Sequence, residues 1–368
     1  MRIALVTEFY YPHLGGVTEH VHNLAEQYNA DGHPTIIVTS EMGDRSHDGP
    51  HVRRIGTSRI IYSSGSFARI TTGWNLHRQL RDLFKSEQID VVHVHGGLTP
   101  TLALTAPKVA RSMGIPVVAT FHSWFPRSHL MSVFRKPLQT RIDWHAANIA
   151  VSAPVIEAHG RYVNAEWEVI PNGVNTDFFT PDAKSDAYRT GDGPQLLFLG
   201  RLDPRNGLET ALSAMEMVRA DRPDARLTIV GDGPLRSYYE HLSEPVRDVV
   251  RFVGSANGDR PKRYASADMY LCPTTKASFG ITLLEAMACG IPQAVSDVTG
   301  FRELVDGGEE AALVPMADAR AWADTALELI EDPARRERMG RAGREKSLTY
   351  SWPVVAERVM QVYRRVTK

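Results

Sequence analysis

A chain of 368 residues with 43% hydrophobic and 23% charged side chains has the composition of a soluble globular protein, and it is too long for one ordinary core. Its 42 basic and 43 acidic residues leave a net charge of −1, which gives no sign of attraction to nucleic acid by the molecule as a whole and leaves such binding to local clusters. Two cysteines, Cys272 and Cys289, exclude a disulfide framework, and with no signal-peptide pattern and no apolar run of about 18 residues the expectation is a cytoplasmic protein with buried thiols.

In chain order, IALVT (3–7) reads as a buried strand, residues 17–30 as a helix and TIIVT (35–39) as a second strand. Residues 61–84 read as a loop followed by a basic amphipathic helix, its periodic part spanning 76–85. The strands VVHVH (91–95), PVVAT (116–120) and NIAVS (148–152) follow. Residues 175–193, rich in Asp, Pro, Gly and Thr, read as a linker. The alternation resumes with QLLFLG (195–200), RLTIVG (226–231), VVRFVG (249–254), DMYLCP (268–273) and QAVSD (293–297), with helices such as 207–220 and 280–288 between them. From 319 onward only helices are expected, the last starting at Pro353. This predicts an α/β chain of two doubly wound, Rossmann-like domains, 1–175 and 176–352, with an interdomain cleft. Ligands of such sheets bind beyond the carboxyl ends of strands, so the residues there are the site candidates.

Gly15-Gly16 follows the first strand and opens a helix, where backbone can approach an anion; a plain turn is the alternative. His122 ends the strand at 116–120, as a ligand contact or as a hydrogen-bonded loop residue. Arg201 leaves the strand at 195–200, followed by Asp203, Arg205 and Asn206; its fork suits phosphate oxygens, or a salt bridge with the nearby Asp203. Gly231-Asp232-Gly233 is a tight turn open to a nucleotide, or only a turn. Lys276, Ala277, Ser278, Phe279 and Gly280 lead into a helix starting at Ile281, whose free N–H groups face the cleft. Glu285, alone in that apolar helix, needs partners: ribose hydroxyls, or in the core a backbone group or an arginine. No residues show metal-ligand spacing, and no Ser-His-Asp set, Gly-x-Gly-x-x-Gly after the first strand or P-loop is present.

The ordered series PxxGGVxxHV (12–21), His122, VSxxV (151–155), VIPNGVNTDFF (169–179), GRLDPRNG (200–207), IVGDGP (229–234), RFVG (251–254, with Val253) and SFGITLLEAMACGIP (278–292) resembles retaining glycosyltransferases of the GT-B fold, family four, over nearly the whole chain. Within the family it is most similar to phosphatidylinositol mannosyltransferases. The resemblance implies transfer of a mannose- or glucose-type hexose from a GDP- or UDP-linked sugar to a lipid head group or glycan, without a metal or other cofactor. It implies that Arg201 and a Lys five residues on grip the diphosphate, that Glu285 holds the ribose, and that a Glu eight residues earlier holds the sugar. It also implies that His122 touches the sugar, that Gly15-Gly16 lies against the diphosphate, and that the helix 353–368 crosses back to the first domain as a strap for cleft closure.

Two positions depart from that pattern: Asn206 stands for the Lys and Ala277 for the first Glu. Arg205 and Lys276, each one residue before a changed position, are the candidate replacements. A nucleotide- or glycan-binding pseudo-glycosyltransferase is therefore the alternative; a sugar-nucleotide 2-epimerase is a third reading with few acid/base carboxylates to support it. The basic run Arg53, Arg54, Arg59, Arg69, Arg78, Arg81 and Lys85, continued by Arg127, Arg135, Lys136 and Arg141, lies beside Trp74, Leu76, Leu80, Leu83 and Phe84. It suggests reversible peripheral binding to anionic membrane at the inner face of the plasma membrane, against the plain alternative of a solvated face.

Overall fold

The structure, a computed structural model, describes residues 1–13, 15–46, 48–63, 66–96, 102–256, 258–305 and 308–368, with backbone alone at 60–63, 66–69 and 130. The chain forms two compact units: residues 1–173 together with 352–368, and residues 174–351.

The first unit runs β1 (Ile3–Thr7), α1 (Gly16–Ala30), β2 (Thr35–Glu41), β3 (Val52–Ser63), β4 (Ser66–Thr72), α2 (Leu76–Ser86), β5 (Val91–His95), α3 (Leu102–Ser112), β6 (Val117–Phe121), α4 (His129–Val133), α5 (Arg135–Ile142), β7 (Ala147–Ala150), α6 (Ala153–Gly160) and β8 (Glu168–Val169). Its sheet has the order β4-β3-β2-β1-β5-β6-β7-β8, parallel except for the β3–β4 pair. That hairpin corrects the reading of residues 61 onward as a loop before the helix. Its strands scatter Arg, Ser and Thr among apolar residues, so the sequence shows no apolar run longer than three residues.

Buried Val21, Leu24, Ala25 and Tyr28 put one face of α1 on the sheet at the 3–4–7 spacing of a helix.

The second unit runs β9 (Gln195–Leu199), α7 (Leu208–Asp221), β10 (Arg226–Val230), α8 (Arg236–Leu242), β11 (Val250–Phe252), α9 (Arg260–Ala265), β12 (Met269–Cys272), α10 (Ile281–Ala288), β13 (Gln293–Ser296), α11 (Thr299–Arg302), β14 (Ala312–Val314), α12 (Ala319–Glu331) and α13 (Pro333–Leu348). Its parallel sheet has the order β11-β10-β9-β12-β13-β14. The chain then returns to the first unit as α14 (Trp352–Val366), where Val355, Ala356, Val359, Met360 and Tyr363 pack into the core. The Tyr28 hydroxyl donates to the Ala356 carbonyl at 3.0 Å.

Both sheets reverse direction at an interior pair of strands: β1 and β5 in the first unit, β9 and β12 in the second. Loops diverge above such a pair and leave a crevice at the strand ends. The segments after β1, β9 and β12 carry Gly15-Gly16, Arg201–Asn206 and Lys276–Gly280.

Candidate active site

In the second unit the loops after β9 and β12 are tied together. Thr275 N donates to the Arg205 carbonyl at 2.7 Å. Gly207 has φ 71°, and a Cβ there would stand 1.9 Å from the Pro273 carbonyl oxygen, so only glycine lets the loops approach this closely. Gly231 answers a similar need: its Cβ would meet the Gly200 oxygen at 1.9 Å. The Gly231-Asp232-Gly233 turn is thus explained by packing against the β9 tail, where the Leu202 N–H donates to the Asp232 carbonyl at 3.0 Å. Val253, beside it, donates its N–H to Ile229 O at 3.0 Å.

Asp203 does not pair with Arg201. It accepts from Arg205 N at 3.0 Å and faces the exposed Arg205 guanidinium at 3.3 Å. The exposed Arg201 guanidinium and the exposed Lys276 ammonium have no hydrogen bond or ion pair among the described residues. Asn206 turns inward, its Nδ2 donating to the Arg201 carbonyl at 2.7 Å. Ala277 and Ser278 pass close over Gly300, whose Cβ would lie 2.3 Å from the Ala277 oxygen. Phe279 is buried, and Gly280 caps α10, which begins at Ile281.

Glu285 is 1% exposed. Arg260 Nη1 donates to its Oε1 at 2.7 Å and the Tyr264 hydroxyl to its Oε2 at 3.1 Å. Burial, then the charge of Glu285, holds Tyr264 well above the usual phenol range, so it stays a donor. The arginine-held core carboxylate left open by the sequence is what the geometry displays. Arg260 and Tyr264 were not singled out from sequence, because nothing local to α9 marks them as partners of a residue on α10.

In the first unit His122 belongs to a group of aromatic rings. Its Nε2 lies 3.1 Å from His95 Nδ1, and its ring centroid 4.8 Å from that of His20. His20 Nδ1 meets Asn172 Oδ1 at 3.0 Å, and His93 bridges Tyr363 OH at 2.5 Å and Thr120 Oγ1 at 2.7 Å. Burial, then neighbouring histidines, pushes His95 and His122 well below the ordinary imidazole range; burial lowers His20 to about 4. His122 is therefore neutral at pH 7, a hydrogen-bonding group rather than a cation. His93 and His95, two apart on one strand, share a face, a signal readable from sequence.

Gly15 has extended backbone at φ 169°, and a Cβ would meet only His13 Nε2 at 4.0 Å. The fold makes no demand for glycine there. Gly16 begins α1.

Ring nitrogens of His20, His95 and His122 lie within 4.8 Å of one another, and a second group, His22, Glu26 and His51, meets the same limit. The sequence reading found no metal-ligand spacing; the fold brings these side chains together, His95 and His122 from separate strand ends and His51 onto the His22–Glu26 face of α1.

The basic run also divides. Arg54 is buried against Asp48 at 2.6 Å, and Arg53 pairs with Glu87 at 2.8 Å. Leu80 and Phe84 are core residues, not an interfacial surface. Arg59, Arg78, Arg81 and Lys85 are exposed, as is Trp74 at 89%; the Arg69 side chain lies outside the described residues. Elsewhere on this unit a hollow of about 530 Å³ is lined by Arg127, Arg135, Arg161, His129 and Tyr162, among others. Among the described residues no helix is long and apolar enough to cross a membrane.

Residues 14–178 match the model of Glycosyltransferase Family 4 and residues 182–346 that of Glycosyl transferases group 1. A phosphatidyl-myo-inositol mannosyltransferase of Mycobacterium leprae is 35% identical over 376 residues, covering 100% of this chain and 97% of that one. Among solved structures, a glycosyltransferase from Rickettsia africae has a TM-score of 0.81 at 16% identity, covering 100% of this chain and 98% of that one. Anabaena HepE in complex with UDP-glucose has a TM-score of 0.77 at 17% identity, covering 98% and 99%. The two sheets and these neighbours make the fold GT-B, and the matches spanning the chain from end to end place it among the retaining hexosyltransferases: it belongs to glycosyltransferase family 4.

Proposed function

We propose that this enzyme moves a hexose from a nucleotide-diphosphate sugar to the head group of an anionic lipid. The observation that carries the donor half is Arg201, a guanidinium at the β9–β12 crevice with no partner among the described residues. A diphosphate supplies the anion such a fork recognises, and Arg201 offsets the charge that grows on the departing phosphate. Lys276 supplies the second cation in place of the side chain at 206. Asn206 is turned onto its own loop and Arg205 is paired with Asp203, whereas Lys276 is exposed and unpaired among the described residues. The backbone from Ala277 to Ile281, with the amino end of α10, takes the nucleotide. Glu285, positioned by Arg260 and Tyr264, is the carboxylate that accepts from the ribose hydroxyls. In the first unit, Gly15-Gly16 offers open backbone to an anion, and neutral His122, held by His95, offers a hydrogen bond to a hydroxyl. Attack comes from the face the leaving group departs from, so the anomeric configuration is kept.

The acceptor half is supported by the relative's phosphatidyl-myo-inositol substrate and by the arginine-lined hollow, a fit for a head-group phosphate. The exposed Arg78, Arg81 and Lys85 supply reversible contact with an anionic surface. The reading is tested by thermal stabilisation with GDP, UDP, ADP and their hexose conjugates in metal-free buffer, then by transfer to vesicles containing phosphatidylinositol. One base is expected to win, with its sugar conjugate stabilising beyond the bare diphosphate. Binding of bare nucleotides with no gain from any sugar supports the pseudo-glycosyltransferase instead.

A further inference from the structure

A second group of ligand-type side chains lies outside the candidate active site. His22 and Glu26 stand four residues apart on α1, the spacing that puts two side chains on one helix face. His51 immediately precedes β3, and its ring faces the same place. One ligand atom from each of the three lies within 4.8 Å of the other two.

We propose that His22, Glu26 and His51 form a binding site for a divalent transition-metal ion of the zinc type. Two imidazoles and a carboxylate are a donor set that suits zinc and its neighbours, and one too rich in nitrogen for magnesium or calcium. The spacing is close to what such an ion needs. Donors at about 2.1 Å around a tetrahedral ion sit about 3.4 Å apart, and His51 Nε2 already stands 3.3 Å from Glu26 Oε1. The other pairs lie within 4.8 Å, and the glutamate, 55% exposed, is free to adjust toward the ion. The surroundings are prepared as well. The Tyr10 hydroxyl lies 3.0 Å from His22 Nδ1, the kind of outer contact that orients a metal-bound imidazole. Arg54 is tied to Asp48 by contacts of 2.6 and 2.8 Å, so its charge is matched by Asp48 and does not neutralise Glu26. The half-exposed site gives the ion a path in from solvent.

The site differs from the inner group of His20, His95 and His122. There His95 Nδ1 and His122 Nε2 are engaged with each other at 3.1 Å, and two of the three rings are fully buried. An ion at the outer site ties α1 to the segment entering β3.

The test is titration of the full chain, free of any polyhistidine tag, with Zn²⁺ against a chromophoric chelator. It is repeated with Co²⁺ for its visible absorption and with Mg²⁺ and Ca²⁺ as controls. The expected result is one Zn²⁺ per chain, no competition from Mg²⁺ or Ca²⁺, and a Zn²⁺-dependent rise in melting temperature. Glu26→Gln and His51→Gln should each weaken binding at least about tenfold and remove that rise; both side chains reach solvent, and circular dichroism checks that both variants fold. No Zn²⁺ binding by the wild-type chain overturns the proposal. So does binding that both variants leave unchanged, or binding lost only in His20→Asn, which would place the ion at the inner group. A simple Glu26–His51 ion pair with no metal affinity gives the first of these results.

Discussion

Arg201, Asn206 and Lys276 show how little the residue type alone decides. Asn206 in place of lysine reads from sequence as a lost cation, yet its side chain bonds the Arg201 carbonyl at 2.7 Å and shapes the loop that presents the arginine. A charge-assisted hydrogen bond contributes about 1.5–3 kcal/mol, a factor of roughly 10–150 in rate when made to the transition state. Lys276→Ala should therefore lower kcat/KM about 10- to 100-fold. Arg205→Ala, which breaks only an exposed pair with Asp203, should change it less than about threefold. Steady-state kinetics with the preferred donor check both; equal losses would contradict the assignment of the second cation. Glu285→Gln should be costly in stability, since it removes the buried carboxylate that both Arg260 and the Tyr264 hydroxyl are bonded to: about 1.5–3 kcal/mol by urea unfolding.

At the scale of elements, Gly207 is the joint between the loops after β9 and β12. Gly207→Ala places a methyl group against the Pro273 carbonyl in a left-handed conformation and should cost about 1–3 kcal/mol of stability. Helix α2 makes a different prediction. Its apolar residues Leu80 and Phe84 hold it to the unit, so its exposed Arg78, Arg81 and Lys85 act by charge, at about 1 kcal/mol each near an anionic surface. The triple change to glutamine should abolish salt-sensitive flotation with anionic vesicles without altering the melting temperature; unchanged flotation would remove α2 from the interface.

The main strands and long helices were legible because parallel strands buried on both faces show as apolar runs, as in IALVT and VVHVH. The β3–β4 hairpin was not, because its strands scatter arginine, serine and threonine among apolar residues and show no long apolar run. The candidate site residues read from the sequence as strand-end residues, and the structure puts most of them in the loops after β1, β6, β9 and β12. Their pairings were not legible: Asp203 chooses Arg205 over Arg201, and Glu285 reaches a partner on another helix. Such choices depend on side-chain directions that spacing along the chain does not encode.

Across the molecule, the buried histidines concentrate in one unit. His20, His93, His95, His122, His145 and His159 all have pKa values lowered first by burial. The unfolded chain binds protons at these sites below about pH 6.5, whereas the folded unit resists them, His20 down to about 4. Stability is therefore full above pH 6.5 and falls as the pH drops toward 4, by about 1.4 kcal/mol per pH unit for each histidine kept neutral. Urea midpoints at pH 7.5, 6 and 5 should decline steeply, and a flat profile would contradict the burial.

The central claim is that the enzyme transfers a hexose with retention, using Arg201 and Lys276 on the donor. The most direct measurement is turnover of the donor picked out by the nucleotide panel, with phosphatidylinositol vesicles as acceptor and the product anomer read by NMR, for wild type, Arg201→Ala and Lys276→Ala. The account predicts a product with the donor's anomeric configuration, a loss of about 10²–10³ in kcat for Arg201→Ala and a smaller loss for Lys276→Ala. An inverted product, or an Arg201→Ala enzyme as fast as wild type, would contradict it.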